Sequence, residues 1–588
     1  MSGGLIQLAA FGTQDILLTA NPQITFFKVT VRRHTAFAIE SIMQTITGSG
    51  TNFGSDLTVT ISRSGDLLWH TTIEVVIPQM VDTAVPPGGV CCRWSPARWT
   101  DDIGHHLIQS CEVQIGGQRI DKHYSDWLQI WSQLTIPAEK RDGYNRMIGN
   151  VMELCGTPDA PIINNIDAGT ASSTSLVYKR PAYRLYIPLQ FWFCRNPGMA
   201  LPLIALPYHE VKLMIKLNEA RNLVIPGCFN ADSNEFYFSF TSGAVTPNTN
   251  SGTNTIAQSF AISSSSDTNA LITTNAVITN PADNMNTPLA MQVWADYIYL
   301  DVNERKRFAQ TSHEYLIDQL QYTGGQNIAP SVSEAQLNLN FNHPTKELVW
   351  VLRKDSYTKN TPGNVLVNYQ NVCNQWSNYQ ITAYNAAANR YSNMDGRIFG
   401  QMEYGNMSTT DFNPIETARL QLNGNDRFRD RHGEYFNLVQ PYQHHTCIPQ
   451  SKGINVYSFG LQPEDIQPTG TINFSRIDNT QLLIKTKSTL PAIGLGGIVS
   501  PNNDSMSVNN EPINAYARYV FRTGGSRTTV CVDGGIAACP VQYVVPSSDP
   551  NTADAPPVDN VGYNVLIYAT NFNVLRIISG MGGLAFSN

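Results

Sequence analysis

Two histidine pairs, His105-His106 and His444-His445, are the side chains most able to hold a metal or move a proton. Adjacent residues on a strand point to opposite faces, so neither pair is a chelate by itself. No His-x-His or His-Glu-x-x-His spacing accompanies them, and we read them as polar or interface histidines. Cys91-Cys92 lacks Cys-x-x-Cys spacing and has no second pair to complete a zinc site. Gly494-Leu-Gly-Gly497 and Gly580-Met-Gly-Gly583 lack the lysine of a phosphate-cradling loop, so both read as turns that need positive φ. No Gly-x-Ser-x-Gly elbow occurs. Asp101-Asp102 and Asp426/Asp430 read as solvated or interface loops rather than as a carboxylate dyad. The densest charge cluster, Asp426-Arg-Phe-Arg-Asp-Arg-His-Gly-Glu434, is balanced in sign and suits pairing between domains or subunits. We therefore expect no catalytic, cofactor-binding or metal-binding residues.

Ten cysteines are scattered along the chain, several in apolar runs such as Phe191-Trp-Phe-Cys194. They read as mostly reduced and buried. Cys531 and Cys539 flank Asp533-Gly-Gly535 and could meet across a hairpin in an oxidising medium. Sequons occur at Asn406, Asn473 and Asn503; without a secretory route they are expected to stay unmodified. The N-terminus has no basic leader, and no run of 18 apolar residues is present. A further reading, a secreted β-sandwich enzyme such as a glycosidase, predicts a leader peptide and a carboxylate pair in a cleft.

The elements that carry these residues are mostly strands. Among 588 residues, 42% are hydrophobic and only 14% charged. Soluble domains average about 25% charged. A surface this poor in charge suits a protein covered by neighbours. The net charge is -7, with 46 acids against 39 bases and no basic tail. Direct coating of nucleic acid needs the opposite balance, so none is expected.

Period-two alternation dominates: Leu57/Val59/Ile61, Cys111/Val113/Ile115, Val211/Leu213/Ile215/Leu217 and Leu337/Leu339/Phe341. Further strands are expected at Ile24–Val31, Ile73–Ile77, Trp294–Val302, Leu348–Leu352, Ile454–Phe459, Gln481–Thr486, Ala515–Phe521 and Val565–Ile578. A hairpin is expected from Thr528–Val532 and Ala537–Val545. One helix stands out, Lys122–Leu134, with Trp127, Ile130, Trp131 and Leu134 in one stripe and Asp121 as its cap. A break near 218–225 divides the chain into two β domains. Ser/Thr/Asn-rich or Gly/Pro-rich stretches at about 225–290, 355–415 and 524–562 read as long loops.

Several segments then resemble the major capsid proteins of nucleocytoplasmic large DNA viruses. They are Gln14-Asp-Ile-Leu-Leu-Thr-Ala-Asn-Pro-Gln-Ile-Thr-Phe-Phe-Lys28, Arg32-Arg-His-Thr35, Phe37-Ala-Ile-Glu-Ser41, Ile61-Ser-Arg-Ser-Gly-Asp-Leu67 and Pro188-Leu-Gln-Phe-Trp-Phe-Cys194. The stretches 200–211, 454–459, 467–478 and 571–586 continue the match in order. The resemblance implies an all-β fold: two consecutive eight-stranded jelly rolls with long loop insertions and a few short helices. On this reading 1–24 is an inner segment, 25–218 the first jelly roll and 219–588 the second, which carries the long loops. It implies a homotrimer whose six jelly rolls make a pseudo-hexagonal capsomer, with no catalysis. Expected partners are neighbouring capsomers, minor capsid and penton proteins, and an internal viral membrane at the inner face. The expected location is the virion, after assembly in the host cytoplasm. An alternative gives the outer loops a role in host receptor or glycan attachment.

Overall fold

The computed structural model describes residues 3–10, 12–48, 50–84, 98–155, 176–225, 258–263, 289–329, 332, 334–355, 374–382, 384–385, 390–391, 411–487, 527–530, 541–544 and 562–586. Alternating residues bury one face of each strand. In Val211–Leu217, Val211, Leu213, Ile215 and Leu217 are buried while Lys212, Met214 and Lys216 face outward. Such half-buried strands must pair sheets face to face.

The first sandwich has eight main strands: β1 (Phe37–Gln44), β2 (Asp56–Thr60), β3 (Leu67–Ile77), β4 (Ile108–Ile115), β5 (Gln118–Tyr124), β6 (Tyr183–Pro188), β7 (Val211–Leu217) and β8 (Ala290–Leu300). One sheet runs β1-β8-β3-β6 and the facing one β2-β7-β4-β5, with antiparallel neighbours. Leu57, Val59, Ile73, Val75, Val113, Ile115, Leu213 and Ile215 fill the space between them.

The second sandwich repeats this order. Its strands are β9 (His313–Tyr322), β10 (Glu334–Asn338), β11 (Pro344–Lys354), β12 (Ile415–Leu422), β13 (Asn425–His432), β14 (Ile454–Ser458), β15 (Thr480–Thr486) and β16 (Tyr563–Ile578). They pair as β9-β16-β11-β14 and β10-β15-β12-β13. Adding eight to each strand number of the first sandwich reproduces the second. Each unit is an eight-stranded jelly roll. Trp350, Leu420, Leu482, Ile484, Val565 and Ile567 lie in the second core.

Four expectations change. The first jelly roll does not end at 218: β8 pairs with β1 and β3, so the unit closes at Leu300 and the 225–290 excursion both leaves and rejoins it. Local alternation cannot say which sheet a strand joins. Ile24–Val31 forms no strand; Ile24, Phe26, Phe27, Val29 and Val31 are exposed, with no sheet edge to bind them. The helix runs Ser125–Thr135, because Lys122–Tyr124 completes β5. Asp121 therefore does not cap it: its carboxylate accepts from the Leu320 amide at 3.0 Å and faces His123 at 2.9 Å. The short strands Arg527–Val530 and Val541–Val544 pair as the expected hairpin. Its turn, Cys531 and Cys539, like Cys91, Cys92, the Gly494–Gly497 loop and Ala515–Phe521, lies outside the described residues.

Ile215→Ala should cost about 2–5 kcal/mol, because a cavity opens between the sheets. Lys216→Ala, one residue on but outward, should stay within about 0.5 kcal/mol. Denaturant midpoints of the two variants check this.

Candidate functional site

The helix Ser125–Thr135 leaves β5 directly, its extended neighbour Tyr124 turning the chain. Asp126 sits in its first turn, where a carboxylate suits the helix dipole. Every residue from Trp127 to Leu134 is buried, more than one apolar face explains. The reason is that the helix lies between the two jelly rolls. Trp127, Ile130, Trp131 and Leu134 press on the outer face of the second unit's sheet, against Val349, Val351, Ile454, Val456, Leu566 and Tyr568. Trp127 stands 5.5 Å from Trp131 and 5.5 Å from Tyr568, ring centre to ring centre. Tyr124 meets Tyr322 edge-on at 4.9 Å. The polar side faces the first unit, where Gln129 bonds His105 at 2.7 Å.

Buried charges fix the register of this junction. Arg353 on β11 pairs with Asp126 at 2.8 Å, and the Tyr379 hydroxyl donates to the same oxygen at 2.8 Å. Asp318 on β9 receives Lys346 at 2.9 Å and Arg195, from the first unit, at 3.4 Å. That guanidinium also covers the Trp131 ring at 4.0 Å. The edge strands β5 and β9 meet where the Gln319 side-chain amide donates to the Ile120 carbonyl.

A short segment of the second unit pins the other side. Thr100 donates to the Asn374 carbonyl, Asn374 to the Val224 carbonyl and Trp376 to the Asn222 carbonyl, each at 2.7 Å. His106 meets Ser377 at 2.7 Å. A serine beside a histidine is a nucleophile's signature, but both are buried between the units, out of reach of a substrate.

The residues singled out from sequence are thus mostly structural. His105 and His106 lie on a short helix, Ile103–Leu107, not on a strand. Burial lowers His105 to about 4 and holds His106 well below its ordinary value, so both are neutral at physiological pH. Asp101 and Asp102 are not solvated. Arg98 pairs with Asp101 at 2.7 Å, and Asn150 donates to Asp102 at 2.7 Å. Burial, and then Asp101, pushes Asp102 up to about 7. His444 is half-buried, whereas the His445 side chain is fully buried between Glu347 at 2.9 Å and Glu464 at 2.8 Å. Burial alone would lower His445, but the two carboxylates outweigh it and hold it at about 9. Asp426 and Asp430 flank Arg419, each at 3.8 Å, on the exposed strand β13. Cys111, Cys155 and Cys194 are free and buried. Asn473 is exposed and its side chain caps the Ser475 amide; Asn406 and Asn503 lie outside the described residues. Gly580 turns at φ +81°, as a turn glycine does, and its carbonyl accepts from Tyr208 of the first unit at 3.2 Å. Among the described residues no three His, Cys, Asp or Glu side chains group as a metal site requires.

Sequence reasoning missed the Arg353–Asp126 and Glu347–His445 pairs and the 374–380 pin. One signal was available. Lys346, Glu347, Arg353 and Lys354 flank or interrupt an apolar strand run, which marks charges that must be paired when buried.

Residues 25–301 match the family described as major capsid protein N-terminus, and residues 304–518 match large eukaryotic DNA virus major capsid protein. The two matches divide where β8 closes the first jelly roll. The major capsid protein of Phaeocystis pouchetii virus is 38% identical, with both chains covered in full. That of Paramecium bursaria Chlorella virus 1 is 36% identical, again with both chains fully covered.

This chain belongs to the major capsid proteins of large eukaryotic DNA viruses.

Solved structures agree. The fold superposes on a chain of the PBCV-1 virus capsid with a TM-score of 0.55 and 30% identity, covering 96% of this chain and 100% of that one. The Faustovirus major capsid protein has the same fold, with a TM-score of 0.55 at 12% identity, covering 98% of this chain and 96% of that one. As a major capsid protein, the chain is a structural subunit of the virus shell. The junction supplies what that role demands of one polypeptide: two jelly rolls held at one fixed relation.

Stability should respond to pH through His445. Its folded value lies above the free value of about 6.5, so the stabilisation is complete below 6.5 and is lost as pH rises through about 9. The urea midpoint should fall between pH 6 and pH 9.5, and His445→Gln should flatten much of that fall. An unchanged slope in the variant would place the titrating group elsewhere.

Proposed function

We propose that this chain is the wall block of an icosahedral shell: three copies form a capsomer whose six jelly rolls make a pseudo-hexagonal tile. The observation that carries this is the repeat itself. Two units of identical strand order stand side by side, joined by a buried helix and buried ion pairs. Three such pairs supply six similar units, and a cyclic contact closes without leaving free ends. Neighbouring capsomers, minor capsid proteins and penton proteins are the remaining partners on this reading, with assembly in the host cytoplasm.

The N-terminal arm supports an inward-facing role. Helices Gly3–Ala9 and Ile16–Thr19 bury nothing, and Leu5, Ile6, Leu8, Leu17, Leu18, Phe26 and Phe27 are exposed. So much free apolar surface on one arm suits docking to a minor capsid protein or to an internal membrane. The acidic balance, -7 overall, supports leaving the genome to other proteins. No catalysis is part of the role: the serine and histidines with suitable neighbours serve as buried bonds.

Purified protein should have a mass three times the 65.0 kDa of one chain, with an ultraviolet spectrum free of nucleic acid. Mass photometry with an absorbance ratio reads both. A stable monomer at micromolar concentration would contradict the block.

A further inference from the structure

Strand β1 begins at Phe37, opposite Leu300, the last residue of β8. The chain therefore enters the first jelly roll and leaves it at one corner. The N-terminal arm, which ends at Ala36, arrives there, and the helix Val302–Gln310 that links the two units departs from there. That linker helix is seated on the first unit. Phe308 packs against Leu67, Ala200 and Ile298, and Arg305 pairs with Asp66 at 3.0 Å. Lys306 and Arg307 are left exposed beside the incoming arm.

The arm is apolar and basic at once. Phe26 is 88% exposed and Phe27 97%, and Lys28, Arg32 and Arg33 follow them, all exposed. Leu17, Leu18, Val29 and Val31 add further free apolar surface. Residues 1–36 and 301–310 together hold Lys28, Arg32, Arg33, Arg305, Lys306 and Arg307 against Asp15, Asp301 and Glu304, a balance of +3. The whole chain stands at -7, so everything else carries -10. Basic charge is thus gathered at the one corner where apolar chain is also free. A nucleic acid would use the cations but has no use for exposed leucines and valines. An anionic bilayer uses both: apolar side chains enter the acyl boundary while Lys and Arg meet the headgroups.

We propose that the N-terminal arm and the exposed side of the linker helix form a peripheral binding site for a bilayer of anionic lipid. Phe26 and Phe27, with the leucines and valines of the arm, enter the acyl boundary, while Lys28, Arg32, Arg33, Lys306 and Arg307 hold the headgroups. This rests on the reading of the chain as a shell block whose arm faces inward, and it names the inward partner. One arm alone binds weakly, because it is short. Three arms on one block bind together, and a patch of blocks binds more firmly still, so attachment grows with the shell. The acidic remainder of the chain is repelled by the same surface, which turns the block arm-first toward the membrane.

Flotation of the purified full chain with lipid vesicles tests it. Vesicles of phosphatidylcholine alone are set beside vesicles that are roughly a third phosphatidylserine. The chain should float with the anionic vesicles, stay in the buffer with the neutral ones, and be released as salt is raised to about 1 M. Arg32→Gln and Arg33→Gln combined with Lys306→Gln and Arg307→Gln should lower the partition roughly hundredfold or more. Phe26→Ser with Phe27→Ser should lower it roughly tenfold or more, a loss that a purely ionic partner such as nucleic acid would not show. All these positions are exposed, so circular dichroism and oligomeric mass should match the parent. Equal flotation with both kinds of vesicle, or variants that float like the parent, would overturn the proposal. So would a trimer that stays in the buffer, which would give the arm to a protein partner. Mass photometry of the same sample keeps the two readings apart. A trimer that does not float contradicts the lipid site alone, whereas a monomer that floats supports the site and contradicts the block.

Discussion

Trp127, Ile130, Trp131 and Leu134 laid across the outer face of a β-sheet hold this molecule together. Burying a large apolar side chain is worth about 1.5–3 kcal/mol relative to exposing it. Four such residues, with the valines, isoleucine, leucine and tyrosine beneath them, stabilise the junction on the scale of a small domain's whole stability. That contact acts beside the hydrogen bonds of 374–377 and the ion pairs that also join the units. With it, the outer face of one unit becomes interior, and the relation between the units is fixed. A building block for a shell needs that fixed relation more than it needs any single side chain.

The buried charges serve direction rather than strength. An apolar helix on an apolar sheet could slide or rotate at little cost. Arg353 on Asp126, Arg195 on Asp318, and the Leu320 amide on Asp121 each leave an unpaired group if the register shifts. Breaking a buried pair by losing one partner typically costs about 3–5 kcal/mol. The same logic places His445 between Glu347 and Glu464, where it ties the helix Gln440–His444 to β11. Histidines and aspartates that a sequence presents as candidate chemistry are, in this fold, fasteners.

What could be read from the sequence follows from which interactions are local. Alternation at Leu57/Val59 and Val211/Leu213/Ile215 is written residue by residue, and those strands form where expected. The tryptophan stripe is written at helical spacing, and it became the clamp. The end of the first unit was not legible, because β8 returns after the long excursion and a strand's own pattern does not name its partner sheet. Ile24–Val31 has an apolar pattern but no edge to join, so it stays open along the surface. Asp101 and Asp102 look solvated in a charged stretch; only the packing of the helix Ile103–Leu107 against the first unit shows them buried. The family segments carried the architecture further than periodicity could, since the family they resemble has the double jelly-roll fold that the sheet order shows.

Two jelly rolls of the same strand order make each chain a pair of similar units. The most direct measurement is a cryo-electron microscopy map of the purified assembly at a resolution that separates strands. Each chain should show the helix Ser125–Thr135 buried between its two jelly rolls, with six jelly rolls around one three-fold axis. A map in which the two jelly rolls of one chain sit apart, with Trp127 and Trp131 in solvent, would contradict it.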